Sequence, residues 1–288
     1  MIELLTLPFM VRALIAAAVT GLAAPTIGTY LVQRRLALLG DGLGHVAVTG
    51  VALGLLTGTS PTWFAVAVAV LGAIGIEIVR ERGHTSGDVA LALLFYGGLA
   101  GGVLITGLAG QSASRLQEYL FGSVTSVSGA DVVTTVVLAA VVVATCLGLL
   151  PQLFAVASDP EFAQVAGLRV RGYNLLVAVL AAVTVTVAMR TVGLLLVSAL
   201  MVVPVATAQQ LTRSFRSTIG VAMLLGLGAS VGGLLLAAYL STVPLDVAPG
   251  PTIVLLSLAG FTLAWPLGVW RRTRQGLARR ATVEVAHG

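Results

Sequence analysis

Residues 173–207 read YNLLVAVLAAVTVTVAMRTVGLLLVSALMVVPVAT, and this stretch decides the class of fold. A helix of roughly 17 to 25 apolar residues crosses a hydrocarbon core about 30 Å thick. A run this long and this apolar has no place in a soluble domain. Only Met189, Arg190 and Thr191 interrupt it, so it forms either a tight hairpin of two crossings or one broken helix.

The rest of the 288-residue chain has the same character, with 58% hydrophobic residues against 9% charged and a mean hydropathy of +1.04. Ordinary globular chains carry about a quarter charged residues and under half apolar ones. The expected fold is therefore all-α, a polytopic helical bundle whose solvent is largely lipid. Apolar windows lie near residues 8–32, 42–58, 62–79, 88–109, 131–150, 173–189, 191–207, 218–240 and 250–269. They predict nine crossings, or eight if residues 173–207 cross once. Residues 1–270 form a single transmembrane domain and 271–288 a basic tail. The first window mimics a secretion signal from Ala13 to Ala24, but it continues to Val32 and stops at Arg34 and Arg35, so it is read as a retained helix.

All 16 basic residues are arginine. A phosphate-binding P-loop needs a lysine, so the chain carries no such site and any ATP-driven work needs a partner. If the tail is cytoplasmic, thirteen arginines lie inside and only Arg12, Arg115 and Arg190 outside, the bias of the positive-inside rule. The same arginines explain the net charge of +5 without nucleic acid, because they are dispersed between apolar segments and form no single basic face. Cys146, the only cysteine, lies in an apolar run and is read as a packing residue. Glycines spaced by four, such as Gly40 and Gly44 or Gly98 and Gly102, favour close helix contacts.

An ionisable group inside a membrane is costly, so each one is a functional candidate. Asp41 and His45 stand four residues apart in Gly40-Asp41-Gly42-Leu43-Gly44-His45, which places them on one helical face. Carboxylate and imidazole together suit a divalent first-row metal. Spacing alone leaves a second reading equally open, a buried Asp-His hydrogen bond that locks two helices. His84 and His287 fall in charged, solvated segments. Ser230, in Gly228-Ala229-Ser230-Val231-Gly232, matches a nucleophile elbow only formally, because a helical run replaces the strand-to-helix turn that motif requires.

Residues 151–172 form the longest loop on the arginine-rich side. Asp159-Pro160-Glu161 starts a short helix, from about Pro160 to Ala166, that stops at Gly167. Its polar face, with Asp159, Glu161 and Gln164, suits docking to a partner better than lying on lipid. On the other side, the proline-rich loop Val243 to Pro251 exposes one carboxylate, Asp246.

Four ordered segments carry a resemblance over nearly the whole chain: LVQRRLALLGDGLGHVAVTGVALG, ASDPEFAQVAGLRVRGYN, VGLLLVSALMVVPVATAQQL and VPLDVAPGPTIVL. Together they resemble the permease subunits of ABC importers for zinc, manganese and iron, the ABC-3 family. The resemblance implies a homodimer in the bacterial cell membrane with a cytoplasmic C-terminus, two separate ATPase subunits below it, and an extracytoplasmic metal-binding protein above. It implies that Asp41 and His45 line the path of the transported ion. It also implies that Asp159, Glu161, Ala163 and Gly167 touch the ATPase; Asp246, in a loop that either meets a partner or simply turns the chain, is read as the contact of the binding protein. No permanently bound cofactor is expected; Zn2+, Mn2+ or Fe2+ is the cargo. Imidazole is common in zinc sites, which favours zinc. The alternative is an ATP-independent secondary cation transporter or channel, which a bundle with an intramembrane carboxylate also serves.

Overall fold

The computed structural model describes residues 7–81, 87–110, 119–122, 127–241, 247–266 and 268. Arg82, His84, Arg115, Asp246 and the basic tail 271–288 lie outside the described residues. The described residues are almost wholly helical and contain no strand.

In chain order the helices are α1 Pro8–Gln33, α2 Leu39–Leu56, α3 Pro61–Glu81, α4 Gly87–Leu108, α5 Gly129–Gly148, α6 Leu150–Ser158, α7 Pro160–Val165, α8 Val170–Val192, α9 Leu194–Leu211, α10 Phe215–Leu240 and α11 Pro249–Pro266. All except α6 and α7 are long and apolar enough to cross a membrane, which gives nine spans among the described residues. The expected windows and these helices agree segment by segment.

Helices α1 and α8 form the centre. α1 packs on α5, α8, α9 and α10, while α8 also touches α2, α3 and α9. α4 is peripheral and rests on α2 and α3. Close approach at small residues holds these contacts, because in lipid tight packing substitutes for the hydrophobic drive between helices. A Cβ built on Gly21 would lie 2.7 Å from the Gly226 carbonyl oxygen, and one on Gly50 would lie 2.6 Å from the Ala65 Cα. Ser230 belongs to this packing, donating its buried hydroxyl to the Ala17 carbonyl at 2.6 Å. Threonine hydroxyls inside the spans bond back to their own helices, as Thr29 does to the Pro25 carbonyl and Thr184 to that of Leu180.

Ion pairs mark the two ends of the bundle. At one end, Glu77 of α3 is almost fully buried and accepts from Arg34 at 3.2 Å and from Arg80 at 2.8 Å. Burial draws the Arg34 guanidinium below its ordinary pKa, and the Glu77 carboxylate opposes that shift. At the opposite end, Arg190 of α8 lies 2.8 Å from Asp131 of α5 and donates to the Thr62 hydroxyl at 3.2 Å.

That second pairing explains where the apolar run 173–207 breaks. The interruption expected at Met189 to Thr191 is absent, since Arg190 keeps helical geometry by pairing with Asp131. The chain breaks instead at Gly193, whose φ of +90° no other residue type adopts readily. There the backbone of Gly122, itself at φ +75°, packs against that of Gly193.

Candidate functional site

α1 ends in a Schellman motif. The Leu36 amide donates to the Leu31 carbonyl at 2.8 Å and the Arg35 amide to that of Val32 at 3.1 Å, with Arg35 in the left-handed region at φ +58°. This reversal brings the chain back as α2, whose first turns present Asp41 and His45.

His45 Nε2 lies 4.0 Å from Asp41 Oδ2, with the histidine more buried than the carboxylate. That separation exceeds hydrogen-bond reach, so the pair does not make the locking bond that spacing had left open. His45 Nδ1 is buried and has no partner either. A half-buried ring with its buried nitrogen unpaired and the other facing a carboxylate across a gap is a costly arrangement for a purely structural residue.

The surroundings differ on the two sides of this turn. On one side α9 closes in on the glycines, with the Met201 sulfur 2.7 Å from a Cβ built on Gly40 and Leu194 against Gly44. On the other side α4 leaves a cavity of about 330 Å3 lined by Leu38, Asp41, Leu91, Ala92, Phe95 and Tyr96. The Phe95 ring meets the His45 imidazole edge-on, with centroids 4.4 Å apart. No group of three or more His, Cys, Asp or Glu able to hold a metal occurs among the described residues. Among the described residues, Asp41 and His45 thus stand as a pair and not as part of a larger cluster.

The loop helix forms as the sequence predicts. Asp159 caps it by accepting the Phe162 amide at 3.0 Å, and Gly167 ends it at φ +84°. Its orientation differs from the expectation for one residue. Ala163 is 0% exposed, so its side chain is turned into the bundle, while Phe162 and Val165 stand free at 66% and 87% exposure beside exposed Glu161. Asp246, proposed from sequence as a binding-protein contact, is among the residues not described.

Sequence reasoning missed Phe95, Glu77 and the Arg190–Asp131 pair. The Glu77-Arg80 spacing of three was a usable local signal, whereas Arg190 and Asp131 are far apart in the chain and Phe95 resembles any other apolar residue of α4.

A family model described as the ABC 3 transport family matches residues 6–266. The chain belongs to this family. Among ABC 3 relatives, the high-affinity zinc uptake system membrane protein ZnuB of Haemophilus influenzae is 29% identical over 252 residues, covering 88% of this chain and 95% of that protein. The manganese transport system membrane protein MntC of Halalkalibacterium halodurans is 32% identical over 264 residues, covering 91% of this chain and 88% of its own length. A solved structure, PsaBC from Streptococcus pneumoniae in complex with Fab, superposes with a TM-score of 0.81 at 29% identity, covering 92% of this chain and 94% of that one. This ABC 3 protein is thus a multi-pass membrane member of a transport family, aligned with its relatives over nearly their full length.

Proposed function

We propose that the chain is the membrane permease subunit of an ATP-driven importer of divalent metal ions, with zinc favoured over manganese or iron. The observation that carries this reading is the Asp41–His45 pair, set in the first turns of α2 beside a cavity and too far apart to satisfy itself. Similarity to proteins named for zinc uptake and for manganese transport supports the metal class without choosing the ion. The imidazole favours zinc, since manganese is content with oxygen ligands.

The end bearing Arg34, Arg80 and α7 faces the cytoplasm, where a separate ATPase subunit docks on Glu161, Phe162 and Val165. A metal-binding protein delivers the ion at the Arg190 end. A second copy of the chain completes the permease. Two ligands leave a tetrahedral zinc ion two short, and a twofold axis supplies an identical pair. Exposed Leu38 and Tyr96 line the cavity, and we assign this face to the second copy. ATP binding rearranges the docked loops and opens the path past Asp41 and His45; hydrolysis resets the bundle. The two groups that each copy contributes hold the ion only weakly by themselves, so parting of the two copies releases it.

The test is zinc and manganese accumulation in cells expressing the chain with its ATPase and binding protein, each ion alone and in competition. ATPase-dependent zinc uptake that His45→Ala abolishes without loss of expression supports the reading. Normal uptake by the His45→Ala protein removes the ligand role. Uptake that persists without a working ATPase replaces the importer with a secondary transporter.

A further inference from the structure

The α4 helix packs on α2 along a face that includes Leu91, Leu94, Phe95, Gly98, Gly101 and Gly102. At its glycine half the two backbones touch: a Cβ on Gly98 would lie 2.6 Å from the Val46 amide nitrogen and 2.7 Å from the His45 carbonyl carbon. The Thr49 hydroxyl donates to the Gly98 carbonyl at 2.6 Å, which pins the register of α4 on α2. One turn away the bulky Phe95 stands beside the cavity next to Asp41, while Leu94 and the Leu91 carbonyl stay close to Gly42.

The register leaves Phe95 little freedom. Its ring packs against His45 at 70° to the imidazole plane, and Tyr96 meets it from its own helix at 5.5 Å and 88°. His45 has no hydrogen bond at Nδ1 to orient its ring, which is the device by which metal-ligating histidines are ordinarily held. Edge-to-face aromatic pairs supply orientation of a similar strength.

We propose that Phe95 is a positioning residue for His45, holding the imidazole so that Nε2 faces Asp41 and the incoming ion. The assignment rests on the reading of His45 as a cargo ligand. Loosening the ring weakens the nitrogen contribution while leaving the oxygen of Asp41 in place. Zinc, which prefers nitrogen, then loses more than manganese.

The experiment measures half-saturation and maximal uptake for zinc and for manganese, normalised to permease in the membrane, in Phe95→Leu, Phe95→Tyr and His45→Ala proteins. Phe95→Leu keeps the apolar volume and removes the ring. It is expected to raise the zinc half-saturation roughly three- to tenfold while shifting manganese less than about twofold. Phe95→Tyr keeps a ring edge and is expected to stay within about twofold of the parent for both ions. A Phe95→Leu protein with unchanged zinc half-saturation overturns the proposal, as does equal loss of both ions in the Leu and Tyr variants, which marks packing alone. If His45→Ala itself transports normally, the ligand reading has failed and the role of Phe95 falls with it.

Discussion

The phenolic hydroxyl of Tyr30 donates to the main-chain carbonyl of Cys146 at 2.7 Å, so a side chain of α1 satisfies the end of α5. Cys146 lies in the last turn of α5, where carbonyls lack helical partners. The ring also packs against Phe215, at 5.3 Å between centroids, tying α10 to the same point. Tyr30→Phe keeps the ring and strands the carbonyl in a fully buried place. A loss of about 1 to 3 kcal/mol is expected, measured by unfolding in mixed micelles.

Arg35 occupies a left-handed position that costs an ordinary residue about 1 to 2 kcal/mol and a glycine almost nothing. Arg35→Gly gives back part of that gain through a more flexible unfolded chain. The net expectation is stabilisation by about 0.5 to 1 kcal/mol, read as a higher melting midpoint in detergent.

Gly193 combines a positive φ with backbone contact on its Cβ side, where the Gly122 amide nitrogen would lie 2.6 Å away. Gly193→Ala is therefore strained by conformation and by collision together. It is expected to destabilise the chain by at least about 2 kcal/mol and to lower its yield in the membrane. Gly107→Ala, where open space surrounds the position, is the control and should change little.

The exposure pattern of α7 divides two roles that the sequence had merged. Phe162→Ala and Val165→Asp should weaken co-purification of the ATPase subunit, with Phe162→Ala costing about 2 kcal/mol of affinity. Ala163→Leu should act differently, lowering stability by about 1 to 3 kcal/mol through overpacking at a buried site.

Cys146 is fully buried, so a cysteine placed on the surface is the one available thiol. Tyr96→Cys sits on the face assigned to the second copy. Mild oxidation in membranes should convert this protein, and not the parent, to a disulfide-linked dimer on a denaturing gel. Absence of the dimer while a Leu224→Cys control behaves identically removes the assignment of that face.

The spans were legible because length and hydropathy are local quantities, and a lipid solvent leaves helices few alternatives. The loop helix was legible for the same reason: Asp159, Pro160 and Gly167 each act within one turn. What escaped was nonlocal. Arg190 reads as an interruption until Asp131 and Thr62, from two other helices, meet its charge and allow α8 to continue to Val192. The face of α7 could not be read because a six-residue helix has too few turns to show a period, and docking through Ala163 fixed it. Asp41 and His45 were visible as rare ionisable groups, but their separation, and the ring that leans on His45, depend on how α4 seats on α2.

The connector between α8 and α9 is a single residue, so the chain there has no slack. A turn of α9 that lifts Met201 off Gly28 and Gly40 therefore acts at once on Gly193 and Val192, next to the clasp between Arg190 and Asp131. The glycines beside Asp41 and the far end of the bundle are thus joined through one backbone link, with no loop between α8 and α9 to separate them.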